Sequence, residues 1–231
     1  MLDFNRFKVL TFDCYGTLID WEAGIVAALH PIFAAHRVDM NEDELLARYA
    51  QHETEVEAGS YRRYRDVLAE VVVRLGRDYG FTPTDNEQRS LAESIRNWQP
   101  FPDTVGALQR LAGRYSLVIL SNIDDDLFAV TQPKLGVIFN DVITAQQVGS
   151  YKPSRRNFQV GLQRINRDKS EILHVAQSLF HDVAPARALG IVTAWINRRK
   201  DKEGSGATPP SSVQPDATFA TLAELATAAG L

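Results

Sequence analysis

Cysteine is all but missing from this chain: Cys14 stands alone among 231 residues. A lone thiol closes no intramolecular disulfide and builds no cysteine-based zinc cluster. The five histidines, His30, His36, His52, His174 and His181, show no metal-ligand spacing. No run of about 18 apolar residues occurs. The amino terminus, Met-Leu-Asp-Phe-Asn-Arg-Phe-Lys, lacks the apolar stretch of a secretion signal. These absences predict a cytoplasmic protein that makes no membrane contact. Positive charge is also in deficit, with 25 Lys and Arg against 29 Asp and Glu and a net charge of -4. That argues against a nucleic-acid partner or a polybasic surface. There is no internal repeat.

Hydrophobic residues make up 45% of the chain and charged residues 23%, the balance of an ordinary globular protein. The length allows one large domain, or a domain with a substantial insertion. Four short runs read as strands: Phe7–Phe12, Ser116–Leu120, Ile172–Ala176 and Ile191–Ile196. Near-continuous apolar runs fit parallel strands buried on both faces. Helical patterns separate them: 103–114 aligns Val105, Leu108 and Leu111, and 156–165 aligns Phe158, Leu162 and Ile165. The alternation predicts an α/β fold, a doubly wound and mainly parallel sheet of Rossmann-like type.

Residues 20–98 differ. They hold no convincing strand but several helical patterns, among them Glu42–Gly59 and Tyr61–Tyr79, with a break at Gly80–Pro83. They are expected to form a helical cap inserted after the first strand, over a core made of 1–19 and 99–231. Residues 200–216, rich in Gly, Ser, Pro and Lys, are expected to be a flexible surface loop.

In open α/β sheets, ligands bind beyond the carboxyl ends of the strands. Here those ends carry Asp13, Ser121 with Asn122, and Ser178 with Asp182, while Lys152 sits in the loop Gly149–Pro153. Each alone reads as a turn or cap residue. Together they place two carboxylates, a hydroxyl, an amide and an ammonium on one sheet edge.

In this order the segments resemble the four motifs of the haloacid dehalogenase superfamily: Phe12-Asp13-Cys14-Tyr15-Gly16-Thr17-Leu18, Leu120-Ser121-Asn122, Tyr151-Lys152-Pro153 and Gln177–Asp182. Within it, Asp-x-Tyr-Gly-Thr-Leu and Trp195-Ile196-Asn197-Arg198 are similar to the L-2-haloacid dehalogenases. The phosphatase branch carries aspartates where Tyr15 and Gln177 stand, and a hard magnesium ion wants those carboxylates. The resemblance therefore implies a hydrolase acting on carbon–halide bonds, with no cofactor and no metal.

It also implies roles. Asp13 is the nucleophile that displaces halide from a short 2-haloalkanoic acid and forms an ester. Asp182 is the base for the water that hydrolyses it. Lys152 holds Asp13 ionised and lowers its pKa, and Ser121 binds the substrate carboxylate. Arg48 of the cap and Asn122 are the candidate halide donors, with Arg62, Arg63 and Arg65 as rival arginines. Tyr15, Cys14, Ser178 and His181 complete the expected substrate pocket, although Cys14 also reads as small core filler. The fourth motif departs from the family pattern at Gln177, Leu179 and His181. The only partner expected is the small acid itself, with a homodimer left open. Three other functions share part of the pattern. They are hydrolysis of another small 2-substituted acid such as a strained cyclic amino acid, phosphate-ester hydrolysis, and a non-catalytic binding role.

Overall fold

A computed structural model of the chain describes residues 2–231. Six strands form one sheet: β1 (Val9–Phe12), β2 (Ser116–Ser121), β3 (Asp141–Thr144), β4 (Ile172–Ala176), β5 (Val192–Ile196) and β6 (Ala217–Phe219). All pairings are parallel, in the order β3-β2-β1-β4-β5-β6. Every residue of β1 and of β4 is buried, as strands covered on both faces require, and the two polar residues among them, Thr11 and His174, pair with each other at 2.8 Å. The order reverses between β1 and β4, where Phe12 is in register with Val175. This topological switch opens a crevice at the carboxyl ends, directly after Phe12 and Ala176.

The doubly wound expectation holds. The two strands that the sequence does not announce are the edges. β3 has two apolar residues and β6 is three residues long, so neither presents a recognisable run.

Four helices lie between β1 and β2: α1 (Trp21–Ala35), α2 (Glu42–Glu57), α3 (Tyr64–Asp78) and α4 (Asp85–Ser94). Each starts at a recognisable cap. Asp20, Asn41 and Thr84 accept backbone N–H bonds at the starts of α1, α2 and α4. The cap of α3 comes from far along the chain: buried Asp124, after β2, accepts from the Tyr64 and Arg65 amides at 3.0 and 3.2 Å. A carboxylate at a helix N-terminus satisfies orphan N–H groups and complements the dipole, so α3 is anchored on the sheet's edge. The remaining helices, α5 (Thr104–Ala112), α6 (Asp125–Thr131), α7 (Ala145–Val148), α8 (Arg155–Ile165), α9 (Ala184–Ala188) and α10 (Leu222–Ala228), accompany the sheet. Among the described residues no helix is long and apolar enough to cross a membrane.

The segment 200–216 departs from its expectation as a flexible surface excursion. It has no regular structure, yet Ala207 and Thr208 are buried. The Ala207 amide donates to Glu22 of α1 at 3.0 Å, and Arg199 reaches both Glu22 and Asp43. Polar composition hid a strap that ties the end of β5 to the helical insertion.

Candidate functional site

Asp13 follows β1 directly, and the chain then turns sharply. The Leu18 and Ile19 amides both donate to the Cys14 carbonyl. Gly16 holds φ at +89°, and a Cβ there would meet Trp21 Nε1 at 2.8 Å, so both backbone and space demand glycine. The turn brings Thr17 back under Asp13: its Oγ1 donates to Asp13 Oδ2 at 2.7 Å and accepts from the Gln177 amide at 2.9 Å. Thr17 is fully buried. Arg198 clamps the same turn by donating to the Thr17 carbonyl at 2.9 and 3.1 Å and to Asp103 at 2.7 Å.

Lys152 is the hub. It is 2% exposed, and its Nζ donates to Asp13 Oδ1 at 2.8 Å, Asp182 Oδ1 at 2.7 Å and the Leu120 carbonyl at 3.0 Å. An ammonium has three protons, and all are used. The Lys152 backbone is fixed by Asn122, which accepts its N–H at 2.7 Å and donates to its carbonyl at 3.0 Å. Asp182 is braced from below: its Oδ1 faces His174 Nε2 at 2.9 Å, whose Nδ1 faces Thr11 Oγ1 at 2.8 Å. Asp182 Oδ2 is buried and has no partner.

The charges settle unequally. Burial would strip Lys152 of its proton, but the Asp13 and Asp182 carboxylates more than offset that, and its pKa is raised. Burial pushes Asp182 up, but Lys152 and His174 outweigh it, leaving its carboxyl below the ordinary range. Asp13 goes the other way. Burial, reinforced by Asp182, prevails over Lys152, and its pKa rises. Lys152 thus acts on Asp13 in the direction expected, but the net shift is opposite because one ammonium serves two buried carboxylates.

The fourth segment forms a π-helical turn, Leu179–Val183, capped by Ser178, whose Oγ accepts from the His181 amide at 2.9 Å. Such turns recur at functional sites. Burial holds His181 down to about 4 despite nearby Asp182, so its ring is neutral at pH 7. Its Nε2 is buried and unpartnered. Gln177 is tied in three ways: through its amide to Thr17, through its carbonyl to Trp195 Nε1 at 2.7 Å, and through Oε1 to Thr208 at 3.2 Å. Leu179 faces a neighbouring groove beside Trp195 and Thr208.

The polar groups at the strand ends line one narrow pocket. Asp13, Tyr15, Ser121, Asn122, Lys152, Ser178, His181 and Asp182 all meet there, as the sequence led one to expect. Three expectations are corrected. Cys14 lies in the hydrophobic core, off the pocket, because it points to the opposite side from Asp13. Asn122 lines the pocket, but its Nδ2 is already engaged by the Lys152 carbonyl and by Glu57 at 3.2 Å.

Arg48 does not reach the site. It lies on the outer face of α2, donates to Glu44 at 3.0 Å and to Asp78 at 3.3 Å, and stacks over Tyr79. The rival arginines are no nearer. Arg63 and Arg65 bind Asp126 on the core surface, and no arginine lines the pocket.

In their place α2 presents Glu53 and Glu57, with Tyr64 of α3 and Trp21 of α1 beside them. Glu53 Oε1 accepts from Tyr49 at 2.7 Å and Tyr64 at 2.6 Å. Burial raises Glu53 to about 7, and burial together with Glu53 raises Glu57 well above the carboxylate range. Sequence reasoning missed both, and also missed Thr17, His174 and Thr208. For the glutamates a signal exists: Tyr49, Glu53 and Glu57 are four residues apart, and Tyr49 and Glu53 fall on the stripe of Leu45, Leu46 and Val56.

The donor set does not fit a magnesium centre. The Lys152 ammonium already stands between the two carboxylates where a cation would be held, and an amide replaces the third. Among the described residues no group of three or more His, Cys, Asp or Glu side chains could hold a metal ion.

Known proteins are similar to this chain in sequence and in fold. The chain is 25% identical over 199 residues to (S)-2-haloacid dehalogenase 1 of Pseudomonas sp. (strain CBS-3), covering 83% of this chain and 85% of that protein. The L-2-haloacid dehalogenase of Xanthobacter autotrophicus, solved with chloropropionic acid covalently bound, matches with a TM-score of 0.77 at 20% identity, over 96% of this chain and 97% of that one. The HAD-hydrolase YfnB of Bacillus subtilis, solved bound to magnesium, matches at TM-score 0.80 and 19% identity, over 98% of this chain and 100% of that one. The profile of the haloacid dehalogenase-like hydrolases matches residues 7–190, which run from β1 past Lys152 and Asp182. By that match the chain belongs to the haloacid dehalogenase-like hydrolases.

Proposed function

We propose that this protein hydrolyses a small carboxylic acid substituted at C2, with halide as the leaving group that its relatives favour. An Asp13 oxygen attacks C2, the bond to the substituent breaks with its electron pair, and an ester joins Asp13 to the acid. Water then attacks the Asp13 carboxyl carbon. The unpartnered Asp182 Oδ2 takes its proton and returns a proton to the departing 2-hydroxy oxygen. Lys152 stays charged throughout, steadying both carboxylates. Thr17 holds the second Asp13 oxygen, and Ser121 and Ser178 are the hydroxyls left for the substrate carboxylate. The helices of 20–98 act as a cap that keeps bulk water from the ester, over a core of 1–19 and 99–231.

The observation that carries this reading is the Lys152 ammonium shared between Asp13 and Asp182. It leaves one carboxylate to attack and one to activate water. No acid stands at Tyr15, whose hydroxyl pairs with Thr131 at 2.8 Å, so the leaving group must depart without a proton from that position. That suits halide.

The test is a single turnover of 2-chloropropanoate in H₂¹⁸O. The product hydroxyl should come unlabelled from Asp13, and the label should appear on Asp13 itself. Labelled product in the first turnover means that water attacks C2 directly and removes the ester. Asp13→Asn should lower the rate by at least about 10⁴-fold.

A further inference from the structure

A pocket for a carboxylic acid should offer an anion somewhere to sit, and this one offers little. Among the described residues Lys152 is its one ammonium, and its three N–H groups are already spent on Asp13, Asp182 and Leu120. No arginine lines it. Four carboxyl groups do: Asp13 and Asp182 on the sheet side, and Glu53 and Glu57 on the helical side. An acid bearing only a negative charge would enter a buried, low-dielectric space where carboxyls outnumber cations, and a desolvated charge without a partner is costly.

The unpaired atoms tell which charge is missing. Glu57 gives Oε2 to Asn122, but its Oε1 is buried and has no donor. Ser121, 2% exposed, also lines the pocket with a hydroxyl that has no partner. Buried polar atoms are rarely left unsatisfied; with Ser121 left for the carboxylate and Asp182 Oδ2 for water, Glu57 Oε1 is the free acceptor an incoming N–H group would find. The Tyr64 and Trp21 rings line the same pocket, and aromatic faces attract cations.

We infer that the substrate carries a protonated amine, received by Glu57 with Glu53 behind it, so that the acid enters as a zwitterion, a small amino-acid-like molecule. This rests on the reading that Asp13 opens a bond beside a carboxylate, and it names the rest of the molecule. A zwitterion adds no net charge to the pocket and supplies the donor that Glu57 lacks. The tight hold on protons at Glu53 and Glu57 agrees: burial outweighs the two tyrosine hydroxyls at Glu53 and, helped by Glu53, outweighs Lys152 at Glu57.

Neutral carboxyls can also donate to an anion, so the test must separate the two uses of Glu57. Glutamine mimics a protonated glutamate and cannot pair with an ammonium. Calorimetric binding of L-alanine, 3-aminopropanoate and propanoate to the wild type and to Glu57→Gln serves, because none of the three carries a leaving group and no turnover is needed. One of the amino acids should bind the wild type at least about tenfold tighter than propanoate. In Glu57→Gln that preference should vanish while propanoate binds as well or better. Propanoate binding the wild type as tightly as both amino acids, a preference that survives Glu57→Gln, or no binding of any probe at millimolar concentration would each overturn the proposal. If Glu57→Gln does not fold, Glu57→Asp replaces it, with a weakened preference as the supporting result and an unchanged one as the refuting result. The ¹⁸O experiment reads the Asp13 ester separately, so either idea can fail alone.

Discussion

The two walls of the pocket solve the problem of buried carboxylates in opposite ways. On the sheet side, Asp182 is paired with Lys152 and His174 and its pKa falls. On the helical side, Glu53 is buried against two tyrosine hydroxyls with no cation at hand, and its pKa rises to about 7. The sheet wall is the complete one in that its cation is in place, shared by both carboxylates, although Asp182 Oδ2 has no partner. The helical wall is the incomplete one: no cation pairs with its glutamates, and Glu57 Oε1 is buried without a donor. On the proposed function, chemistry falls to the strand ends and selection to the helices of 20–98.

The largest effect should come from breaking the complete wall. Lys152→Met leaves Asp13 and Asp182 buried side by side without their shared cation. Breaking a buried pair by removing one partner costs about 3–5 kcal/mol, and activity should fall by at least about 10³-fold. Because the cost is that of unpaired charge, it should shrink in acid, where the carboxyls take up protons. Urea unfolding of wild type and variant at pH 7 and pH 5 checks this. An equal loss at both pH values would mean that Lys152 contributes through packing rather than charge.

The division also explains what the sequence discloses. Asp13, Ser121, Ser178 and Asp182 are legible because each ends or follows an apolar strand run, and strand ends must converge on one edge of a parallel sheet; Lys152, in a loop before α8, is legible only through the resemblance of Tyr151-Lys152-Pro153 to a family motif. Thr17 and His174 are hidden in plain view, one inside the nucleophile turn and one within β4, since nothing local reveals which polar side chain a distant carboxylate will meet. The insertion is legible as helices but not in its facing. Which side of α2 turns inward is fixed by contacts with α1 and α3 and by Asp124 at the start of α3. The placement of Arg48 therefore fails by one position, while the strap at 200–216 is masked by its loop-like composition.

A smaller, pH-dependent effect should mark the incomplete wall. Glu53 titrates at about 7 when folded against 4.5 when exposed. Between those values the folded state holds a proton that the unfolded chain releases, so stability is full below pH 4.5 and is lost as pH rises through 7. The loss amounts to about 3 kcal/mol. Glu53→Gln keeps an acceptor for both tyrosines but cannot ionise. Its stability relative to wild type should therefore improve between pH 5 and pH 8 by an amount of that order. A constant difference would mean that Glu53 is solvated when charged, and the contrast with Asp182 would collapse.

The smallest effect belongs to Arg48. Successive residues of an α-helix are about 100° apart around the axis. Tyr49, Glu53 and Glu57 share the inward face of α2, while Arg48 pairs with Glu44 and Asp78 on the outer one. Bringing Arg48 to the pocket would mean turning the helix by roughly that angle, which would pull Tyr49 and Glu53 from a core where both are buried. Closing or opening the cap as a rigid body cannot achieve this, because hinge motion moves a helix without spinning it. Arg48→Ala should thus change kcat and KM by less than about twofold, as for a surface substitution away from special features. A loss of kcat of about tenfold or more, with KM held, would show an interaction made in the transition state. It would restore Arg48 to the halide and force a different register for α2. The matched measurement is Glu57→Gln on the same substrate: if the cap selects through its glutamates, that variant, one turn beyond Glu53 on the inner face, must shift KM where Arg48→Ala does not.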